Sequence, residues 1–240
     1  MIAITFAVPH ESRDLRRALR TAKPVILAHT GIGTAAAEKS VRALLAENRP
    51  RWLLSSGYAG ALDPELAHGE LFLATNFTAP ELLARSTARR GTLTTQETAA
   101  ETSLQKLALA RTTGAQAVDM ETSAIARVCA EHSVPMLSLR AISDTADAEI
   151  PVPLHVSYDL ARQRPRIFAL LAFLAGNPSR ILPFTRFVSG LAPARAALTT
   201  AIVEIIGSEA SKSSAFPDRQ ISSHRPSSQK SAATRDNPKS

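Results

Sequence analysis

Residues 117–147 read AVDMETSAIARVCAEHSVPMLSLRAISDTAD, a helix, a tight connection and a strand with a carboxylate at each end. Ala124, Ile125, Val128 and Cys129 fall at i, i+1, i+4 and i+5, which is one face of a helix. Pro135 stops that helix, because proline has no backbone N–H to donate and biases the residue before it away from the α region. The run 136–142, MLSLRAI, is apolar and of strand length. Glu121 stands at the helix start and Asp144 just past the strand's carboxyl end. Alternation of this kind predicts an α/β fold, and in open α/β sheets ligands bind outside the carboxyl ends of the strands. Both carboxylates therefore stand where chemistry is done.

Working outward, residues 2–8 (IAITFAV) read as a first strand, followed by Pro9-His10-Glu11-Ser12-Arg13 and a short helix. Residues 24–28 (PVILA) read as a second strand, running into His29-Thr30-Gly31-Ile32-Gly33-Thr34 and a helix. Glycines permit positive φ and close backbone approach, and a helix N-terminus presents free N–H groups. The further glycine spacing of a dinucleotide fingerprint is missing. Residues 51–56 (RWLLSS) predict a third strand that ends at the turn Gly57-Tyr58-Ala59-Gly60-Ala61. Residues 68–74 give a further strand. The stretch 75–116 is the least informative. It offers a strand start at 91–94 and an amphipathic helix with Leu104, Leu107 and Leu109 as its apolar face. After a proline-marked loop, residues 167–174, 181–188 and 191–206 predict three helical stretches, apolar but studded with Arg166, Arg180, Arg186 and Arg195.

Composition sets bounds. The 240 residues are 45% hydrophobic and 20% charged, enough for one domain with a sizeable core. The lone cysteine, Cys129, excludes an intramolecular disulfide framework and sits on an apolar helix face, as a buried structural thiol would. The N-terminus lacks a basic leader region, and no window of about 18 uninterrupted apolar residues appears, so the expectation is a cytoplasmic chain without a membrane span. Of the net charge of +7, residues 208–240 supply +3, in a Ser-rich stretch with almost no large apolar residue. That stretch predicts a disordered basic tail after a domain spanning 1–207. Its basic residues are dispersed and carry no interleaved aromatics, so no nucleic-acid partner is predicted. No His/Cys cluster of ligand spacing exists, so neither a metal nor a cofactor is predicted.

Val118-Asp119-Met120-Glu121 and Arg140-Ala141-Ile142-Ser143-Asp144-Thr145-Ala146-Asp147 together resemble the purine nucleoside phosphorylase and nucleosidase superfamily. The resemblance covers roughly residues 2–150. It implies a three-layer α/β/α fold around a central mixed, twisted β-sheet. It implies that Met120 and Glu121 bind the ribose, and that Asp144, beside Ser143, is the general acid that donates a proton to purine N7. Glu11 aligns with the carboxylate that orients or deprotonates the attacking water in the nucleosidase branch; positioned proton transfer of this kind contributes roughly 10²–10⁴-fold. His10 is its neighbour, but only one of the two can point inward. Gly31 and Gly33 match the family's turn near the sugar, and Gly57 with Tyr58 matches its Gly-Ser-Ala-Gly-Gly turn. Here Tyr58 stands where a small residue is common and Ala61 replaces a glycine, which implies a reshaped pocket wall.

The family's phosphate-holding arginines are missing from their usual contexts: Ser55 and Ser56, not Arg, precede Gly57. Phosphate needs charge-assisted donors. Arg13 and Arg85 are the available substitutes. Hydrolysis is therefore expected over phosphorolysis. Residues 91–122, 143–151 and 164–198 are further similar to the hopanoid-associated branch, whose members are thought to remove adenine from adenosylhopane. This implies a small-molecule nucleoside partner, lipid-linked in that reading. The apolar-basic segment 151–207 then reads either as an interfacial element at the inner membrane face, its arginines snorkelling to anionic headgroups, or as an ordinary helical cap or dimer face. Relatives are dimers or larger, so a homodimer or higher homo-oligomer is implied. Three readings stand beside it: a methylthioadenosine/S-adenosylhomocysteine-type nucleosidase, a phosphate-dependent nucleoside phosphorylase, and a non-catalytic nucleoside-binding protein.

Overall fold

The computed structural model describes residues 1–19 and 25–214, the last six by backbone alone. In chain order the main elements begin with β1 (Ile2–Phe6), α1 (Arg13–Ala18), β2 (Val25–His29) and α2 (Thr34–Glu47). Then come β3 (Leu53–Ala61), β4 (Leu71–Ala74), β5 (Arg89–Gly91), β6 (Leu93–Thr95) and α3 (Ser103–Thr113). The organising stretch supplies β7 (Ala117–Asp119), α4 (Thr122–Glu131) and β8 (Met136–Asp144). Two short helices, α5 (Leu154–Ser157) and α6 (Ile167–Gly176), precede α7 (Ile181–Ser214).

Among the described residues, eight strands form one sheet in the order β2-β1-β3-β8-β4-β5, with β7 pairing β3 and β6 at one end. The pairs β1–β2, β1–β3 and β3–β8 are parallel, whereas β4–β8 and β3–β7 are antiparallel, so the sheet is mixed. Alternate side chains of each strand point to opposite faces. Ile2, Ile4, Leu54, Leu137 and Leu139 meet Leu15 of α1 and Ala194, Leu198, Ile202 and Ile205 of α7 on one face. Ala3, Leu53 and Met136 meet Ala37, Val41, Leu45, Ile125, Val128 and Cys129 of α2 and α4 on the other. The result is the expected three-layer α/β/α sandwich. Cys129 is buried within it, and burial pushes its thiol up to about 12, which suits a structural thiol.

Four expectations are corrected. First, β3 does not stop at Gly57 but runs through the predicted turn to Ala61, because Tyr58, Ala59 and Gly60 continue to pair with β8. Second, the inner face of α3 is not the expected one: Leu109 packs against the core, but Leu104 and Leu107 are exposed, while Lys106 is fully buried because an acidic partner lies beneath the helix. Third, the stretches 181–188 and 191–206 are one helix. Pro193 removes a single N–H and does not break a helix whose following turns are packed on the sheet. Fourth, Arg195 is not a surface cation: it is buried between α1 and α7, with Nε donating to Asp14 Oδ2 at 2.7 Å. Residues 178–208 are long and apolar enough to cross a membrane, at a mean hydropathy of 1.2. The buried Ala194, Leu198, Ile202 and Ile205 and the Arg195–Asp14 pair make the second half of that helix a layer of this fold instead. It continues to Ser214, past the expected start of the tail at 208; residues 215–240 lie outside the described residues.

Candidate active site

The carboxyl ends of β1, β3 and β8 and the β7–α4 junction enclose a cavity of about 230 Å³. Glu11, Tyr58, Met120, Glu121, Ser143 and Asp144 all line it, so six of the residues singled out in the sequence come together.

Glu11 lies on the turn after β1 and is buried, its Oε2 accepting the Val8 N–H at 3.1 Å. Burial raises its pKa above the ordinary carboxylate range, opposed by that bond and by the Arg140 charge. His10, its neighbour, is exposed and reaches Arg195 instead. Gly57 leaves room for the Glu11 carboxylate, since a Cβ there would lie 3.2 Å from Oε1. Glu121 caps the start of α4, and its Oε1 accepts the Gly33 N–H at 2.8 Å. Burial, and then the Asp119 charge, push it up to about 8. Gly33 thus positions Glu121 without lining the cavity. Gly31 does not line it either: its positive φ and lack of a Cβ admit Gln163, whose Oε1 accepts the Ile32 N–H at 2.7 Å.

Asp144 ends β8. A register shift between Ala59 and Gly60 sets Gly60 opposite it, and a Cβ on Gly60 would stand 3.1 Å from Asp144 Oδ2. Ser143 Oγ donates to Asp144 Oδ1 at 2.5 Å, and Lys106 Nζ of α3 lies 2.5 Å from Oδ2. Lys106 also donates to the carbonyls of Thr145 at 2.7 Å and Ala148 at 2.8 Å. Tyr58 donates its hydroxyl to the Leu191 carbonyl at 3.2 Å, tying the cavity wall to α7, and burial pushes that hydroxyl up to about 12.

Behind this wall is a second, much smaller cavity of about 10 Å³, lined by Glu11, Ser55, Ser56, Gly57, Glu121 and Arg140 among others. That is close to the room a single water needs. Arg140 is buried and wholly engaged by protein acceptors. Nε and Nη2 donate to Asp119 Oδ2 at 3.1 and 3.0 Å, Nη1 to the Ser55 and Leu139 carbonyls, and Nη2 also to the Ser55 and Thr122 hydroxyls. Arg13 pairs with Asp14 at the surface and Arg85 lies 5.4 Å over the Trp52 ring, so neither lines the cavity.

Phe77, an aromatic in the uninformative stretch, packs against the core and does not line the cavity. Sequence reasoning missed several parts of the site. Thr98, Ala99 and Ala100, from the uninformative stretch, form one wall, with Ile150 and Leu154. Small and aliphatic residues in a loop carry no signal of their own. Lys106 was missed because a lysine between leucines on a helix reads as solvent-facing. Among the described residues, no group of three His, Cys, Asp or Glu side chains is placed to hold a metal ion.

The profile of the Phosphorylase superfamily matches residues 3–90 and 79–174. The chain belongs to this superfamily. Among relatives of known kind, a 5′-methylthioadenosine/S-adenosylhomocysteine nucleosidase of Glaesserella parasuis is 27% identical over 170 residues, 56% of this chain and 72% of that protein. Futalosine hydrolase of Helicobacter pylori superposes with a TM-score of 0.65 at 17% identity, over 86% of this chain and 97% of that one. The 5′-methylthioadenosine/S-adenosylhomocysteine nucleosidase of the same organism gives a TM-score of 0.65 at 18% identity over the same shares. These structural likenesses establish the superfamily fold, and the four carboxylates Glu11, Asp119, Glu121 and Asp144 sit together at its strand ends.

Proposed function

We propose that this protein is a purine nucleosidase, which hydrolyses the N-glycosidic bond of an adenine nucleoside. The observation that carries the reading is the buried Glu11 carboxylate beside a water-sized cavity whose one arginine, Arg140, is already committed to Asp119 and Ser55. A carboxylate there suits water and repels phosphate, and the lining arginine is taken up by protein acceptors.

In this reading Asp144 hands a proton to N7 of the base, which leaves with the electrons of the C1′–N9 bond. Glu121 holds the ribose hydroxyls, and Met120 packs against the sugar. Glu11 draws a proton from water as its oxygen bonds to C1′. Its raised pKa places it nearer neutrality, where a general base works best. The carboxylates fixed around the sugar stabilise the positive charge that develops on it.

For the substrate, the lipid-linked reading has support of its own. The cavity of about 230 Å³ and two outer hollows, neither of them the small space behind Glu11, share walls in a row of three: Thr98, Ala99 and Leu154 line both the first and the middle one, and His155 and Leu160 both the middle one and the third. The third is walled by Arg162, Arg164, Arg166, Ile167 and Phe168. Beyond it α6 (IFALLAFLAG) presents Ile167, Phe168 and Leu171 to solvent, and α7 presents Ile181 and Leu182. Exposed apolar residues beside arginines suit a membrane surface bearing anionic headgroups. An adenosylhopane-type nucleoside would reach the site along this path from the inner membrane face. The second reading is a soluble 5′-substituted adenosine, supported by the 27% identity to the Glaesserella nucleosidase.

The test is adenine release from adenosylhopane and from methylthioadenosine, side by side, with and without phosphate. Release from the lipid substrate alone supports the first reading, and release from methylthioadenosine alone the second. A requirement for phosphate would remove Glu11 from its role. Asp144→Asn should abolish release; a protein that binds nucleoside but never releases adenine would be a binding module.

A further inference from the structure

Lys106 is a buried charged group at the cavity that the mechanism above leaves unused. It is 0% exposed, on the inner face of a helix whose Leu104 and Leu107 face solvent. Burying an ammonium costs several kcal/mol unless it is paired and hydrogen-bonded. Three oxygens surround this one: it donates to the Thr145 carbonyl at 2.7 Å and the Ala148 carbonyl at 2.8 Å, and forms an ion pair with Asp144 Oδ2 at 2.5 Å. Two of the three cannot lose or gain a proton, and the third is the carboxylate at the cavity.

We propose that Lys106 is a positioning residue and proton reservoir for Asp144, supplying the proton that leaves with the purine base; this rests on the nucleosidase reading above. The ion pair means that the resting Asp144 is a carboxylate, which by itself has no proton to give. In the reaction one Lys106 N–H bond breaks and its proton passes to Asp144 Oδ2, and the carboxyl group so formed then gives that same proton to N7 and returns to a carboxylate. The lysine nitrogen keeps two hydrogens for the two carbonyls, and only while the proton rests on Asp144 does its freed lone pair accept from that hydroxyl. Each carboxylate oxygen has a second lone pair, so binding Ser143 and Lys106 leaves Asp144 able to face the cavity it lines. The proton count closes: Glu11 gains one from water as Lys106 gives one up, and exchange with solvent resets both. A lysine serves here where an arginine would not, because a guanidinium does not deprotonate in proteins.

The experiment compares wild type with Lys106→Met and Lys106→Arg on two leaving groups. One is adenine, in whichever nucleoside the wild type cleaves. The other is 4-nitrophenolate, on a riboside with the same 5′ substituent, which departs without a proton. Loss of adenine release by about 10²-fold or more in both variants, with nitrophenolate release within about threefold of wild type, is the expected result; the magnitude is that of a general acid. Retained nitrophenolate release also shows that the variants fold. Equal losses on both leaving groups would make Lys106 a structural residue and overturn the proposal, as would full adenine release by Lys106→Arg.

The pH profile gives a second reading. With Lys106→Met the proton must come from solvent, so adenine release should climb as pH falls, where wild type does not. The charged groups facing the pair are Asp147 beside Lys106 and Glu11, Asp119 and Glu121 around the cavity; all are common to wild type and variant. An unchanged profile overturns the proposal. Wild type that releases no adenine from any nucleoside would instead overturn the nucleosidase reading, and this inference with it.

Discussion

Gly57 and Glu11 are in contact across the floor of the site: a Cβ on Gly57 would stand 3.2 Å from Glu11 Oε1. The backbone of β3 and the carboxylate after β1 therefore share one space. Gly57→Ala should push the carboxylate off its position and strain a backbone whose φ is +155°. Turnover should fall by roughly tenfold or more, with KM changed far less and a stability cost of about 1–3 kcal/mol. Steady-state kinetics with a urea titration checks it; unchanged turnover would mean that Glu11 is not held by this contact.

Glu121 ties stability to pH. Its folded pKa is pushed from 4.5 up to about 8, so folding favours the protonated form. That stabilisation is complete below about pH 4.5 and is lost as pH rises to about 8. Glu121→Gln keeps an oxygen for the Gly33 N–H and has no charge to bury. Its melting temperature should therefore overtake that of wild type progressively across this window and level off above it. Thermal melts below, within and above the window decide; a constant difference between the two proteins at all three would contradict the assignment.

Arg140 and Asp119 form a buried pair at 3.0 Å, with side-chain exposures of 3% and 0%. Removing one partner leaves the other charged and unpaired. Arg140→Met should cost about 3–5 kcal/mol in chemical denaturation. A second change, Asp119→Leu, should recover part of that loss in the double variant without recovering activity. Additive losses in the double-variant cycle would show that the two charges are not coupled.

The membrane reading makes its own prediction. Phe168 is 89% exposed, so Phe168→Glu removes nothing from the core. Its melting temperature should match wild type, while flotation with phosphatidylglycerol-containing vesicles is lost. Wild type that stays with the aqueous fraction at low salt would end the interfacial reading and leave α6 as a dimer face or cap.

The unit at 117–147 was legible because its periodicities change cleanly, from a helical face ending at Pro135 to nine buried strand residues. Glu121 and Asp144 were legible as carboxylates at a helix start and a strand end, and Glu11 through the family resemblance; the structure brings all three to one cavity. What stayed hidden depends on tertiary contacts. The capping box of Thr102 and Gln105 and the left-handed Gly114 set the limits of α3, but its buried side is chosen by Asp144, far along the chain. The continuation of β3 past Gly57 required the pairing of β8, and the single rod of α7 required the core under its second half. Thr98, Ala99 and Ala100 entered the site only because the chain returns there between β6 and α3.

Tyr58 reaches α7 through a main-chain oxygen, that of Leu191. A carbonyl is present whatever side chain the position carries, so drift at residue 191 leaves this joint intact. The same is true of Glu121, whose anchor is the Gly33 N–H, and of Lys106, two of whose three partners are carbonyls. The pocket is thus fastened mostly to main-chain groups, which a change of side chain leaves in place unless it puts a proline at Gly33 and removes that N–H. Its genetic vulnerability is concentrated in the few side chains that do the reaching, while the surfaces around it are free to diverge toward new substrates.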